Sequence, residues 1–116
     1  MSEHPIVRAI ENAELDDPTI ELIDYHAYAR RLLLRIASAA AGGRHVRTLI
    51  FDGVVALHCE PQSALDPLAA GESAALLRFE GRERKTGEAD VLIVMSRAGH
   101  PAATASFRAT GARWIG

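Results

Sequence analysis

Residues Asp17–Gly43 read DPTIELIDYHAYARRLLLRIASAAAGG, and the period assigned to their apolar residues decides the fold. Taken at helical spacing, Leu22, His26, Ala29, Leu33, Ile36, Ala37 and Ala40 form one stripe, while Arg30, Arg31 and Arg35 reach towards water. Asp17 offers an N-cap acceptor and Pro18 suits the first helical position. Gly42-Gly43 is a stop signal. The stretch therefore predicts one amphipathic helix of roughly 24 residues, about 36 Å long. Its apolar stripe needs a surface to cover it, and the rest of the chain reads as strands.

The chain has 116 residues, enough for one domain with a real core and too few for two. Thirteen basic residues stand against 15 acidic ones, for a formal net charge of −2. That balance argues against a nucleic-acid surface, which needs a basic excess or a basic stripe. Cys59 is alone, so it cannot close an intramolecular disulfide, and nothing suggests an oxidising compartment. No apolar run approaches the roughly 18 to 20 residues that span a bilayer. The opening MSEHPIVRAIENAEL carries charges throughout and lacks the apolar centre of a secretory signal. The expectation is a soluble cytoplasmic protein without membrane association.

Outward from the helix, His4–Ile10 reads as a short strand, with Pro5 tolerable on an edge. Val46–Cys59 (VRTLIFDGVVALHC) reads as one long strand bent at Gly53, or as two short ones, since an interior glycine eases a kink. Glu60–Glu72, with two prolines and a glycine, is an extended loop. Ser73–Glu80 alternates partly, Gly81–Gly87 is a charged turn, and Ala89–Ser96 (ADVLIVMS) is a nearly continuous apolar strand of the kind covered on both faces. Beyond the turn Arg97–Pro101, the alternation of Ala102–Arg113 puts Ala103, Ala105 and Phe107 on one face and Thr104, Ser106 and Arg108 on the other. Short glycine-containing turns between these strands make antiparallel hairpins. The expected architecture is α+β: a curved antiparallel sheet of about five strands wrapped around one long helix, in a single domain over residues 1–116.

This order resembles the hotdog fold, and Val46–Arg113 is similar to the strand pattern of hotdog acyl-thioesterases. The resemblance is carried by Pro61 and Pro67 in the loop, Gly71-Glu72, Gly81-Arg82, Val91–Met95, Gly99-His100 and Ala102-Ala103-Thr104-Ala105. It implies an acyl-thioester hydrolase acting on an acyl-CoA or acyl-carrier-protein thioester at the interface of a homodimer or dimer of dimers. The alternative is a non-catalytic domain of that fold, binding an acyl ligand or serving as an assembly module. Cystatin-like cone domains, which also set a helix against a curved sheet, are a rival architecture. The amino-terminal half carries none of the motifs that mark the thioesterase, dehydratase or hydratase subgroups; Asp24-Tyr25-His26-Ala27-Tyr28 stands in their place.

Thioester hydrolysis needs a carboxylate or imidazole to activate water and donors for the oxyanion. Asp24 is the candidate base or nucleophile, with Tyr28 or His26 orienting the acyl group. On a regular helix Asp24 and Tyr28 are neighbours, while His26 points about 200° away. Equally, an Asp early in a helix is favoured by the macrodipole, His26 suits a core, and Tyr25 and Tyr28 suit an interface. Arg82, Arg84 and Lys85 form a basic turn that could meet coenzyme A phosphates or a carrier protein, or be a solvated hairpin tip. The five histidines show no zinc-ligand spacing. A strand would put His58 and Cys59 on opposite faces, leaving Cys59 as a small core residue. No metal, cofactor or phosphate-loop motif is expected.

Overall fold

The computed structural model describes residues 4–40 and 43–115. It overturns the long helix and, with it, the hotdog architecture. Thr19–His26 is strand β1 and Arg31–Ala40 is strand β2, paired antiparallel in a hairpin whose turn is Ala27–Arg30. The described residues form an eight-stranded antiparallel sheet and two short helices.

Two features disguised this hairpin. A bulge between Ile20 and Leu22 puts Ile20 and Ile23 both inside the core, three residues apart, which imitates helical spacing. In β2 the true period is two: Leu32, Leu34 and Ile36 are buried while Arg31 and Arg35 are exposed. The residues Ala37 to Ala40 carry high helix propensity, and the tertiary surface overrides it. Asp17 takes a positive φ of 46° and Pro18 O accepts the Leu76 amide at 3.0 Å, so this pair joins the sheet instead of starting a helix. Gly42, the expected stop, lies outside the described residues.

The remaining strands are β3 (Gly43–Asp52), β4 (Val55–Glu60), β5 (Ala74–Glu83), β6 (Ala89–Ser96), β7 (Ala103–Ala109) and β8 (Gly111–Ile115), in the sheet order β4-β7-β6-β5-β1-β2-β3-β8. The two ends of that order are covalently continuous. β3 runs into β4 through Gly53 and Val54, and β7 runs into β8 through Thr110. Since β3 pairs β8 and β4 pairs β7, these are two halves of one bent ribbon, and the sheet curls into a barrel. At the corner, Thr110 N donates to Asp52 O at 2.9 Å and Val54 N to Arg30 O at 2.8 Å. Inside, Phe51 of β3 meets Phe107 of β7 edge-on at 5.0 Å and Phe79 of β5 at 6.3 Å, across the interior.

His4–Ile10, expected as a strand, is instead mostly helix α1 (Pro5–Glu11). His4 caps it: Nδ1 accepts the Ile6 amide at 3.1 Å, so Nε2 carries the proton and donates to Gly87 O at 2.7 Å. Pro5 follows the cap, where a missing N–H costs nothing. Ile6 and Val7 enter the core, Trp114 Nε1 of β8 donates to Ala9 O at 2.9 Å, and α1 rests on Gly81 of β5. A Cβ at Gly81 would meet Ile10 Cδ1 at 3.0 Å and Val7 Cα at 3.5 Å, so glycine allows this approach. The loop Glu60–Glu72 holds a second helix, α2 (Asp66–Ala69), which packs on β1 and seats Leu68 in the core. Among the described residues no helix is long and apolar enough to cross a membrane.

Candidate functional site

The period-2 pattern of β6 builds the candidate site. Ala89, Val91, Ile93 and Met95 are buried, leaving Asp90, Leu92 and Val94 half-buried on the opposite face. The expectation that this strand is covered on both faces fails: among the described residues its outer side chains, Asp90, Leu92 and Val94, are only half-buried. The register aligns its neighbours: Arg82 of β5, Asp90 and Arg108 of β7 form one cross-strand row, and Glu80, Leu92 and Ser106 form the next. With adjacent strands about 4.8 Å apart, the Cα atoms of Arg82 and Arg108 stand about 10 Å apart on either side of Asp90.

These two rows line an open groove of about 800 Å3. Ile10 and Glu11 of α1 and Ala56 of β4 also contribute, and Leu92 is the apolar side chain of the two rows; Phe79, Val91 and Phe107 border the groove from strands whose rings and branches at those positions turn to the interior. Ala56 lies at a bulge between Val55 and His58 and takes a positive φ of 58°. A non-glycine residue in that region is strained, and such strain concentrates at binding sites.

The electrostatics of the groove are uneven. Arg84 Nη1 donates to both Asp90 carboxylate oxygens, at 3.1 and 3.0 Å, and Arg78 Nη2 donates to Glu80 Oε1 at 2.8 Å. Arg82 and Arg108 have no such partner among the described residues. Arg108 Nε is shut away from water without any acceptor, which is uncommon for a buried donor.

Of the residues expected to bind a phosphorylated group, Arg82 and Arg84 line the groove, whereas Lys85 sits exposed in the turn beyond it. Those expected to be catalytic lie elsewhere. Asp24 and His26 share one face of β1, and His26 Nε2 bonds Asp24 Oδ2 at 2.9 Å. A helix would have separated them; the strand brings them together. Tyr28 is fully exposed at the hairpin tip and none of the three lines the groove. Arg108, Ser106 and Leu92 escaped notice as site residues, although alternation alone put Ser106 and Arg108 on the polar face of β7.

Cys59 packs against the core on the opposite strand face from His58, which faces Glu60 at 3.6 Å. Burial, and secondarily the Asp66 carboxylate, push the Cys59 thiol above its ordinary value of 9.0. The neutral thiol is thus the favoured form in the fold. Its contribution to stability is fully present below about pH 9 and is lost as pH rises beyond it. Iodoacetamide should therefore alkylate native Cys59 more slowly than the urea-unfolded chain at pH 8, with the native rate rising at higher pH than the unfolded rate. Equal native and unfolded profiles would contradict this assignment. Among the described residues no group of three or more His, Cys, Asp or Glu is placed to hold a metal ion.

Compared with known proteins, the chain matches no family model, no curated protein and no solved structure. The hotdog resemblance thus has neither a relative nor a helix behind it.

Proposed function

We propose that this chain is a ligand-binding β-barrel domain whose site is the groove over β5, β6 and β7. The observation that carries the reading is the groove itself: about 800 Å3, floored by Leu92 and Ser106 and edged by two unpaired guanidinium groups. Placement in the cytoplasm rests on the lone Cys59. A ligand with an apolar body should bind saturably, raise the melting temperature, and move the amide resonances of Leu92, Ser106 and Arg108. Ser106→Trp, which fills the middle of the groove, should weaken every ligand alike; undiminished binding in that variant would place the site elsewhere.

Acyl-thioester hydrolysis is a second reading, favoured by one observation. The 2.9 Å Asp24–His26 hydrogen bond is the arrangement of an imidazole general base oriented by a carboxylate. In that reading the substrate is an acyl-CoA or acyl-carrier-protein thioester, and a second copy of the chain completes the exposed site. The same ligand titration, run with an acyl-CoA panel, separates the two. Binding without turnover supports the groove reading, and turnover lost in Asp24→Asn supports hydrolysis.

A further inference from the structure

The groove tells more than that something binds there. Six charged side chains line it: Glu11, Glu80 and Asp90 against Arg82, Arg84 and Arg108. Counted alone they cancel, but their pairing does not leave them equivalent. Glu80 is held by Arg78, which comes from outside the lining, and Asp90 is held by Arg84. What remains is Arg82 and Arg108 against Glu11 only. Asp90, the one acid in register between them, is already neutralised.

Arg108 is the sharper of the two. Its side chain is half-buried on β7, and its Nε–H lacks both water and an acceptor. Its terminal nitrogens enter no hydrogen bond or ion pair among the described residues, so they are left for a ligand. The two Nη groups at the end of a planar guanidinium point donors in parallel, matched to two oxygens of a carboxylate or phosphate. The Ser106 hydroxyl, two residues earlier on the same face, makes no hydrogen bond among the described residues and adds a donor in the next row. Leu92, half-buried beside Ser106 in that row, gives an apolar surface for the rest of the molecule.

Resting on the groove reading, we propose that the ligand is an organic anion with a carboxylate or phosphate head on an apolar body. Arg108 and Arg82 hold the head, while Leu92 meets the body. The site is set in its resting state by Arg84, which keeps Asp90 from competing with the ligand for the two free cations.

The test is calorimetric titration of the full chain with octyl phosphate, octanoate, octyl glucoside and octyltrimethylammonium, at low and high salt. Both anions should bind most tightly and weaken with salt, and the tighter of the two identifies the head. Arg108→Gln should weaken the anions about tenfold and leave octyl glucoside unchanged, because only a charge-assisted contact is lost. Should Arg108→Gln fail to fold by circular dichroism, Arg82→Gln at an exposed position makes the same comparison. Asp90→Asn should tighten the anions several-fold, since it removes the intervening acid and frees Arg84. A merely structural role for Asp90 gives no such gain. If all four probes bind alike and Arg108→Gln changes none of them, the anion assignment is overturned while the groove stands. If no probe binds, the groove reading falls and takes the anion with it.

Discussion

Phe51→Ala should cost about 4 kcal/mol of stability, within the range for truncating a buried aromatic side chain. Phe51 is fully buried and touches both Phe79 and Phe107, so its removal leaves a cavity where side chains of β3, β5 and β7 meet inside the barrel. For a chain of this size that loss lowers the melting temperature by roughly 15 °C. Phe51→Leu, which keeps most of the volume, should cost only about 1–2 kcal/mol. The comparison is made by urea denaturation followed by circular dichroism. Equal effects for the two variants, or a cost for Phe51→Ala typical of an exposed site, would mean that the sheet does not close around this ring.

Gly53→Ala strikes the corner of the ribbon. Gly53 has a φ of 66°, in the left-handed region that costs other residues about 1–2 kcal/mol. An added Cβ would also stand against the Thr110 hydroxyl, with Thr110 Cγ2 at 3.0 Å and Cβ at 3.1 Å. Overpacking of that kind adds about 1–3 kcal/mol, so the expected loss is about 3 kcal/mol. The steric part is separable from the backbone part. In Thr110→Ala the hydroxyl and methyl are gone, and Gly53→Ala should then cost about 1 kcal/mol less. Strict additivity in this double-mutant cycle would show that Thr110 does not crowd the corner.

The carboxy-terminal half of the fold was legible because its strands alternate plainly and its turns carry glycine. The residues of β6 were bounded as Ala89–Ser96 in the sequence and in the structure, and the bend at Gly53 falls where an interior glycine suggested it. The amino-terminal half misled for physical reasons. A bulge at Ile20/Leu22 shifts the phase of the apolar pattern by one, and a window spanning a strand, a four-residue turn and a second strand can then satisfy a helical period. Alanine content reinforced the wrong period. Helix α1 was missed because Pro5 reads equally as an edge-strand residue or as a first helical position, and seven residues are too few for periodicity to choose.

The site was legible only in part. Arg82 and Arg84 are conspicuous in the sequence as a basic cluster, whereas Arg108 becomes significant only through register, which sets it across from Asp90. Pairing distinguishes Arg84 from Arg82, and no local pattern reveals who pairs with whom. Asp24 and His26 illustrate the same dependence in reverse. Their spacing of two is a separation on a helix and an adjacency on a strand.

The ribbon that seals the barrel also dictates how the chain can assemble. Its corner joins residues 58 apart, Asp52 and Thr110, while the hairpins β1–β2–β3 and β5–β6–β7 are each built from near neighbours. Local hairpins close quickly, and the distant pairing bears the loop-closure entropy. The seam and the β1–β5 contact, which joins Thr19 to Ala75, are the two pairings that local hairpins cannot supply, and until the seam forms the edges of β3 and β7 are open to another chain. Refolding should therefore take on the order of milliseconds to seconds, and its yield should fall as protein concentration rises, which stopped-flow fluorescence at several concentrations would check.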